Sequence, residues 1–188
     1  MKIISLGWGV QSFALAAMSA LRVLPPVDAA VHADTGHERR ETYEFAKRWT
    51  PWLEGRGVRV VTVNAGAVRY QPLDRTTGQT HLPCYTLADA DKSRGQLRRS
   101  CTQRWKIAPQ RRWIREQGIN PRATQSGQVK QWFGITLDEV ERMRISDVLY
   151  IENVYPLIEM LDRPWTRGMA LRWLRDNNLE IPVKSSCM

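Results

Sequence analysis

The amino-acid sequence predicts an α/β protein with a Rossmann-like, doubly wound fold: a mainly parallel sheet of about five strands with helices on both faces. Two observations predict this class. Short apolar runs alternate with helical patterns from the N-terminus onward, and the connections between the runs are too long for hairpins. Such strand–helix–strand units cross over right-handed and bring their strands parallel. The 188 residues suit one domain, which we expect to span residues 1–188.

The N-terminal third carries the most regular alternation. An Ala- and Leu-rich run is typical of a buried helix, and β-branched runs are typical of strands. Paired prolines end the first helix, and glycines follow the second. The predicted elements are a strand Lys2 to Leu6, a helix Phe13 to Leu21, a strand Ala29 to Ala33, a helix Glu38 to Leu53 and a strand Val58 to Asn64.

The remainder of the chain is less regular. From about residue 65 to residue 100 the periodicity fades into Gly, Pro, Thr and Asp, which predicts a long loop or lid. Order then returns. The predicted elements are a helix from Thr102 or Ala108 to Gln117 that stops at Gly118, a strand Val129 to Ile135, a helix Leu137 to Arg144, a strand Val148 to Ile151, and a helix Thr166 to Asn177 with Thr166 as its N-cap.

The positive charge of the chain is concentrated in one segment. The formal net charge is +9, and the nine basic residues between Lys92 and Arg115 occur without an acidic one, so the rest of the chain is balanced. Such a block attracts a polyanion: nucleotide phosphates, sulfate or a nucleic-acid backbone. The alternative is a solvated basic face that only keeps the protein in solution.

The composition of the sequence also indicates the cellular compartment of the protein. No apolar run is long enough to span a membrane, and the N-terminal apolar run breaks at glycines before it could form a signal-peptide core. Cys84, Cys101 and Cys187 are odd in number and far apart, which fits a reducing compartment. We therefore expect a cytoplasmic protein without a membrane partner or disulfides. Reactive groups and metal ligands are open roles for its thiols, and a small buried residue, the commoner role of a free cysteine, is the alternative for Cys84.

The loop that follows the first predicted strand is the first candidate site. It reads Gly7-Trp8-Gly9-Val10-Gln11-Ser12 and leads into a helix. Glycines let a backbone approach a phosphate closely, and the N–H groups at a helix N-terminus attract anions. The loop therefore predicts a phosphate cradle. A plain tight turn between a strand and a helix is the alternative.

The second candidate site follows the second predicted strand. Asp34, Thr35 and Gly36 lie at its carboxyl end, where ligands bind in open parallel sheets. A carboxylate there can hold magnesium or a ribose hydroxyl, although capping of the next helix explains Asp34 as well. His37 shares this position, whereas His32 is expected to be an ordinary strand residue.

Four segments together resemble a known family. The loop Gly7 to Ser12 resembles the pyrophosphatase (PP) loop of the adenine nucleotide α-hydrolase superfamily. Further segments are similar to the phosphoadenosine phosphosulfate (PAPS) reductase-like branch, and they occur in the family's order. They are HADTG (His32 to Gly36), LRRSCTQRWKIAP (Leu97 to Pro109) and PVKSSC (Pro182 to Cys187).

The resemblance implies an activity and its cofactors. ATP with magnesium would activate an acceptor oxygen by adenylation with release of pyrophosphate, so that a sulfur or nitrogen nucleophile could displace it. Two cysteines, Cys101 and Cys187, would be ligands of a [4Fe–4S] cluster or sulfur carriers. The implied partners are an adenine nucleotide, tRNA or DNA through residues 92–115, and a second copy of the chain in a homodimer.

The resemblance also implies residue roles. Asp34, Cys101 and Lys106 would be catalytic, with Asp34 also a possible magnesium ligand. The predicted nucleotide- and phosphate-binding residues are Gly7, Gly9, Gln11, Ser12, Asp34, Thr35, Gly36, Arg98, Arg99 and Arg112.

Two departures from the family pattern affect these expectations. The usual loop is Ser-Gly-Gly-Lys-Asp-Ser, and Val10 and Gln11 stand in place of its Lys and Asp. Phosphate binding is therefore a firmer expectation than cleavage. The segment from about residue 152 to residue 188 also looks truncated, because a second cysteine that usually follows the last segment is absent. Two other functions stay open: a non-catalytic nucleic-acid-binding protein, and a sulfonucleotide reductase with a cysteine nucleophile.

Overall fold

A computed structural model describes residues 1–66, 102–122 and 126–184, together with the backbone of residues 73–74 and 79–80. The strands are β1 (Lys2–Ser5), β2 (Ala29–Asp34), β3 (Val60–Asn64), β4 (Leu73–Asp74), β5 (Gln79–Thr80), β6 (Val129–Trp132) and β7 (Ile151–Val154). The α-helices are α1 (Val10–Ala20), α2 (Arg40–Glu54), α3 (Ala108–Glu116), α4 (Pro156–Glu159) and α5 (Arg167–Asp176), and a π-helical turn, Gln103–Ile107, runs directly into α3.

Five of these strands form one parallel sheet in the order β3-β2-β1-β6-β7. The chain first builds outward from β1 to β3 and then returns to the other side of β1 with β6. The strand order therefore reverses between β1 and β6, which is where ligands bind in sheets of this kind. The predicted Rossmann-like α/β class is confirmed.

The sheet is buried on both faces because neighbouring residues of a strand point to opposite sides. Ile4 of β1 packs into a core with α1, α2 and α5, whereas Ile3 packs on the other face with Trp113 and Ile114 of α3. Helix α1 is almost entirely buried, as its Ala-rich sequence predicts. Burial on both sides holds the carboxyl ends of β1, β2 and β6 in fixed positions.

Two predicted elements differ from the observed ones. Residues 148–150 belong to a turn, and β7 begins at Ile151 because Ile151 pairs with Val129 of β6. The predicted helix Leu137 to Arg144 is a 3₁₀ segment, Leu137–Arg142, in which Glu139 departs from helical dihedral angles. The Glu139 N–H donates to the Thr136 carbonyl at 2.9 Å and the Met143 N–H to the Val140 carbonyl at 3.0 Å, which is the three-residue spacing of a 3₁₀ helix.

The other boundaries agree with the predictions within a few residues. Thr166 caps α5 as predicted, since its Oγ1 accepts a hydrogen bond from the Met169 N–H at 3.3 Å. Gly118, at a φ of 85°, ends α3. The predicted lid falls mostly outside the described residues and contains the short antiparallel pair β4–β5. Within the described part of the chain, no helix is both long and apolar enough to cross a membrane.

Candidate functional site

The loop after β1 ends in an open helix N-terminus. Gly9 is the N-cap of α1, no side chain of a described residue caps the helix, and its first turn has no acidic residue. Inside the loop, the Gly7 N–H donates to the Ser12 Oγ at 3.1 Å, and that hydroxyl donates to the Gly9 carbonyl at 3.2 Å. The first N–H groups of a helix have no acceptor within it, so this end of α1 is suited to an anion.

Trp8 fixes the shape of this loop. Its backbone is left-handed, with a φ of 54°, which is uncommon for a bulky residue. The indole is only 2% exposed and makes edge contacts with Phe45 and His32 at ring distances of 6.1 and 6.4 Å. Burial of this ring in the core holds the strained conformation, so the loop is rigidly attached to the sheet.

The segment that follows β6 lies directly on the loop. A Cβ atom added to Gly134 would lie 2.6 Å from the Ser12 nitrogen and 2.7 Å from the Gln11 carbonyl carbon. Only glycine leaves room for this approach. The loops after β1 and β6 are thus packed together at the point where the strand order reverses.

These two loops border a cavity of about 520 Å³, a size typical of small-ligand sites. Among the described residues, four basic side chains and one carboxylate line it, which is an excess of three positive charges. The charged residues are Lys106, Arg142, Arg167, Lys184 and Glu139. A neighbouring cavity of about 410 Å³ shares Ser5, Lys106 and Phe133 with it, so the two form one continuous groove.

Gln11 and Glu139 form the polar wall of the cavity. The Gln11 amide donates to one oxygen of Glu139 at 3.3 Å, and Arg142 pairs with the other at 2.7 Å. Val10, in contrast, is buried in the core. Neither residue that departs from the family loop therefore brings a charge to the cavity.

Asp34 lies outside this cavity. Its Oδ1 accepts hydrogen bonds from the Gly36 N–H at 2.7 Å and from the Tyr43 hydroxyl at 2.8 Å, and burial together with this bond raises the pKa of Tyr43 to about 12. Helix α2 has Arg39 as its N-cap, so Asp34 stabilises the turn before the helix rather than capping it. Gly36 adopts a φ of 72° in that turn.

A buried carboxylate connects this turn to the basic segment. Glu38 is 7% exposed, accepts a hydrogen bond from the Thr35 hydroxyl at 3.2 Å, and lies 3.7 Å from the Lys106 ammonium. Lys106 lines both cavities of the groove. The π-helical turn thus places Lys106, the predicted catalytic lysine, at the same cavity as the loop Gly7 to Ser12 (the predicted phosphate loop).

His32 is buried at the tip of β2. Its Nδ1 lies 3.0 Å from the Leu6 carbonyl oxygen, which can only accept, so Nδ1 carries the proton and Nε2 is the unprotonated nitrogen. Burial lowers the pKa of His32, and the Leu6 hydrogen bond opposes the shift only in part. The imidazole is therefore neutral in the folded protein at neutral pH.

This burial predicts a pH-dependent stability. Because the pKa of His32 is lower in the folded protein than in the unfolded chain, the unfolded chain binds the proton first as the pH falls. The free energy of unfolding therefore decreases as the pH drops below about 6.5. The decrease is ~1.4 kcal/mol for each unit by which folding lowers the pKa. We expect chemical denaturation to show a lower free energy of unfolding at pH 5.5 than at pH 7.5. In His32→Asn, whose amide can still donate to the Leu6 carbonyl, the difference in the free energy of unfolding between the two pH values should become smaller. If that difference did not change, the pH dependence would come from other groups.

Other predicted site residues are not brought to the cavity. Arg112 is exposed on α3 and does not line it, and Arg111, its neighbour, pairs with Asp147. The remaining predicted residues, Arg98, Arg99, Cys101 and Cys187, lie outside the described residues, as does Cys84. The predicted iron–sulfur cluster and the roles of these residues therefore stay predictions.

Sequence reasoning missed part of the site. Gly134 lies inside the predicted strand Val129 to Ile135, and an isolated glycine in a strand pattern is a local signal of a close backbone approach. The remaining missed residues, Glu139, Arg142, Arg167 and Lys184, lie more than 120 positions from the loop. Lys184 falls in the family-like segment Pro182 to Cys187, but no local pattern assigns any of the four to the cavity. Among the described residues, no group of three or more His, Cys, Asp or Glu side chains is placed to hold a metal ion.

The fold and the cavity define an α/β protein with a basic cavity at the switch point of a parallel sheet. No protein-family model matches the sequence, and no curated protein matches it. Among solved structures, the fold is similar to the crystal structure of PAPS reductase from Candida auris in complex with phosphate. The TM-score is 0.60 at 12% sequence identity, over 96% of this chain and 74% of that chain. At this identity the similarity establishes a PAPS-reductase-like fold.

Proposed function

We propose that the protein is a PAPS-reductase-like nucleotide enzyme of the PP-loop superfamily, which holds an adenine nucleotide by its phosphate groups at the N-terminus of α1. One observation carries the proposal: the N-terminus of α1, which no described side chain caps, opens into a cavity whose described lining includes four basic side chains and one carboxylate. A helix N-terminus and several cations together favour a multiply charged anion. The cavity of about 520 Å³ has the size of a small-ligand site, and the neighbouring cavity of about 410 Å³ leaves room for a second substrate.

The proposed reaction is ATP-dependent activation for sulfur transfer. An acceptor oxygen attacks the α-phosphorus of ATP, pyrophosphate leaves, and a sulfur or nitrogen nucleophile then displaces AMP from the adenylated acceptor. Lys106 and Arg142 would stabilise the charge that develops on the phosphate oxygens. The second cavity would hold the acceptor.

Magnesium is the part of this proposal that the described residues support least. Glu139 is the only carboxylate among the described residues that line the cavity, and it is already paired with Arg142. Asp34 lies elsewhere. The donor set does not fit a dedicated metal site, and we derive no step through magnesium.

Sulfonucleotide reduction is a second candidate, favoured by the similarity of the fold to a PAPS reductase. The basic cavity suits a phosphosulfate as well as a triphosphate. Binding of PAPS without magnesium, in preference to ATP, would favour this candidate. Release of pyrophosphate from ATP would favour the first.

Nucleic-acid binding is a third candidate, favoured by the net charge of +9 and by the exposure of Arg112 and Arg115 on α3. It predicts an affinity for DNA or RNA that falls steeply with salt and needs no nucleotide. Titrations at several salt concentrations distinguish it from the nucleotide proposal.

Ser12 provides the direct test of nucleotide binding. We expect Ser12→Ala to bind ATP or PAPS about tenfold more weakly, because the hydroxyl that orders the loop and can donate to a phosphate is lost. Isothermal titration calorimetry measures the affinity. Ser19→Ala is the matched control: its hydroxyl bonds to the Pro25 carbonyl at the far end of α1, so nucleotide affinity should not change. If wild-type protein bound neither nucleotide, the proposal would fail.

A further inference from the structure

The segment after α5 returns along the protein to the phosphate loop. The Leu179 N–H donates to the Leu174 carbonyl at 2.9 Å, and Leu179 is buried in the same core as Phe13 of α1. Ile181 packs against that core, and Pro182 is buried. This part of the chain is therefore docked although it contains no regular secondary structure.

Glu180 fastens this segment to α2. Its carboxylate accepts a hydrogen bond from Arg48 at 2.7 Å and one from the Trp49 indole N–H at 2.9 Å. The Arg48 bond, with a smaller contribution from Trp49, lowers the pKa of Glu180. Trp49 is itself held in place, because its ring contacts Phe13 and Phe45 at 5.1 and 5.9 Å.

Lys184 comes four residues after Glu180 and lines the cavity above the phosphate loop. Four residues of extended chain span at most about 14 Å, so the position of Glu180 restricts where Lys184 can lie. Lys106 and Arg142 are each paired with a carboxylate in this region. Lys184 forms no ion pair with any described residue, and its charge is therefore available to an anion.

We infer that Lys184 is a phosphate-binding residue of the nucleotide site, and that Glu180 is a positioning residue that acts through Lys184. The inference rests on the proposed function. The bonds of Glu180 to Arg48 and Trp49 hold the C-terminal segment against α2, so that Lys184 lines the same cavity as the N-terminal residues of α1. A lysine contributes there as a compact point charge on a flexible stem.

Calorimetry on the full chain with ATP, inorganic pyrophosphate and adenosine tests this inference. Lys184→Met should weaken binding of ATP and pyrophosphate about three- to tenfold, as expected for loss of one charged contact, and leave adenosine unchanged. Lys47→Met is the matched control, since Lys47 is exposed on α2 and lines neither cavity of the groove. Its affinities should equal those of the wild type.

A double-mutant cycle tests the role of Glu180. Glu180→Ala should weaken pyrophosphate binding by itself, but should have no further effect in a Lys184→Met background, because the two residues act on one contact. Glu180→Gln, which keeps an acceptor for the Trp49 N–H, should recover part of the affinity. Thermal unfolding of each variant verifies that it is folded at the titration temperature.

The outcomes separate this inference from the proposed function. If the wild type bound none of ATP, PAPS and pyrophosphate, both would be overturned. If the wild type bound them and Lys184→Met bound them equally well, only the role of Lys184 would be overturned. Independent, additive losses in the double variant would overturn the positioning role of Glu180.

Discussion

Gly134→Ala should reduce nucleotide affinity about ten- to hundredfold and lower the free energy of unfolding by about 1–3 kcal/mol, the usual effect of overpacking. The added methyl group would lie 2.6 Å from the Ser12 nitrogen and 2.9 Å from the Ser12 Cα. These are backbone atoms of the phosphate loop, so relief of the clash must move the loop or the segment after β6. Calorimetric titration with ATP or PAPS measures the nucleotide affinity. Urea denaturation measures the free energy of unfolding.

Gly168→Ala is the matched control for this substitution. A Cβ atom on Gly168 would meet only the Thr166 Oγ1 at 3.7 Å, an ordinary contact, within the first turn of α5. We expect unchanged nucleotide affinity and equal or slightly higher stability, since alanine favours helix more than glycine does. Wild-type affinity and stability in Gly134→Ala would contradict the observed contact between the two loops.

Phe13→Ala should lower the free energy of unfolding by about 3–5 kcal/mol, a large part of the 5–15 kcal/mol typical of a domain. Phe13 is fully buried and joins α1 to α2, because its ring lies 4.8 Å from Phe45 and 5.1 Å from Trp49. Truncation leaves a cavity that these rings cannot fill. Since Phe13 directly follows Ser12, we also expect weaker nucleotide binding.

Urea denaturation of the variant measures this loss, with Leu149→Ala as the comparison. Leu149 is 71% exposed, so its truncation should change stability by no more than about 0.5 kcal/mol. Equal small effects at both positions would show that the aromatic cluster between α1 and α2 contributes little to the fold.

The fold was predictable because its signals are local. Each strand of the N-terminal third is a short apolar run, and Ala-rich α1 is buried as its composition predicts. Predictions failed where a distant partner decides the conformation. Strand β7 starts at Ile151 because that residue pairs with Val129. The segment Leu137–Arg142 is 3₁₀ rather than α-helical, and its Glu139 accepts a hydrogen bond from the distant Gln11.

The candidate site was predictable only in part, for the same reason. Gly7, Gly9 and Ser12 are close in sequence, and their pattern shows a turn between a strand and a helix. Whether such a turn faces a cavity depends on the neighbouring strand in the sheet, and that neighbour, β6, is more than 100 residues away. The Lys and Asp absent from the loop could be noted in the sequence. Of the described cations around the loop, Lys106 was predicted, whereas Arg142, Arg167 and Lys184 were not.

The sequence by itself determined that the chain alternates strands with helices, that a glycine-containing loop follows β1, and that positive charge is in excess. The tertiary structure alone decided that Gly134 packs on Ser12, that Glu139 meets Gln11, and that Lys184 returns to the cavity. The physical reason is that propensity and turn chemistry act over a few residues. Charges and packing at a switch point are instead assembled from segments that only the folded sheet brings together.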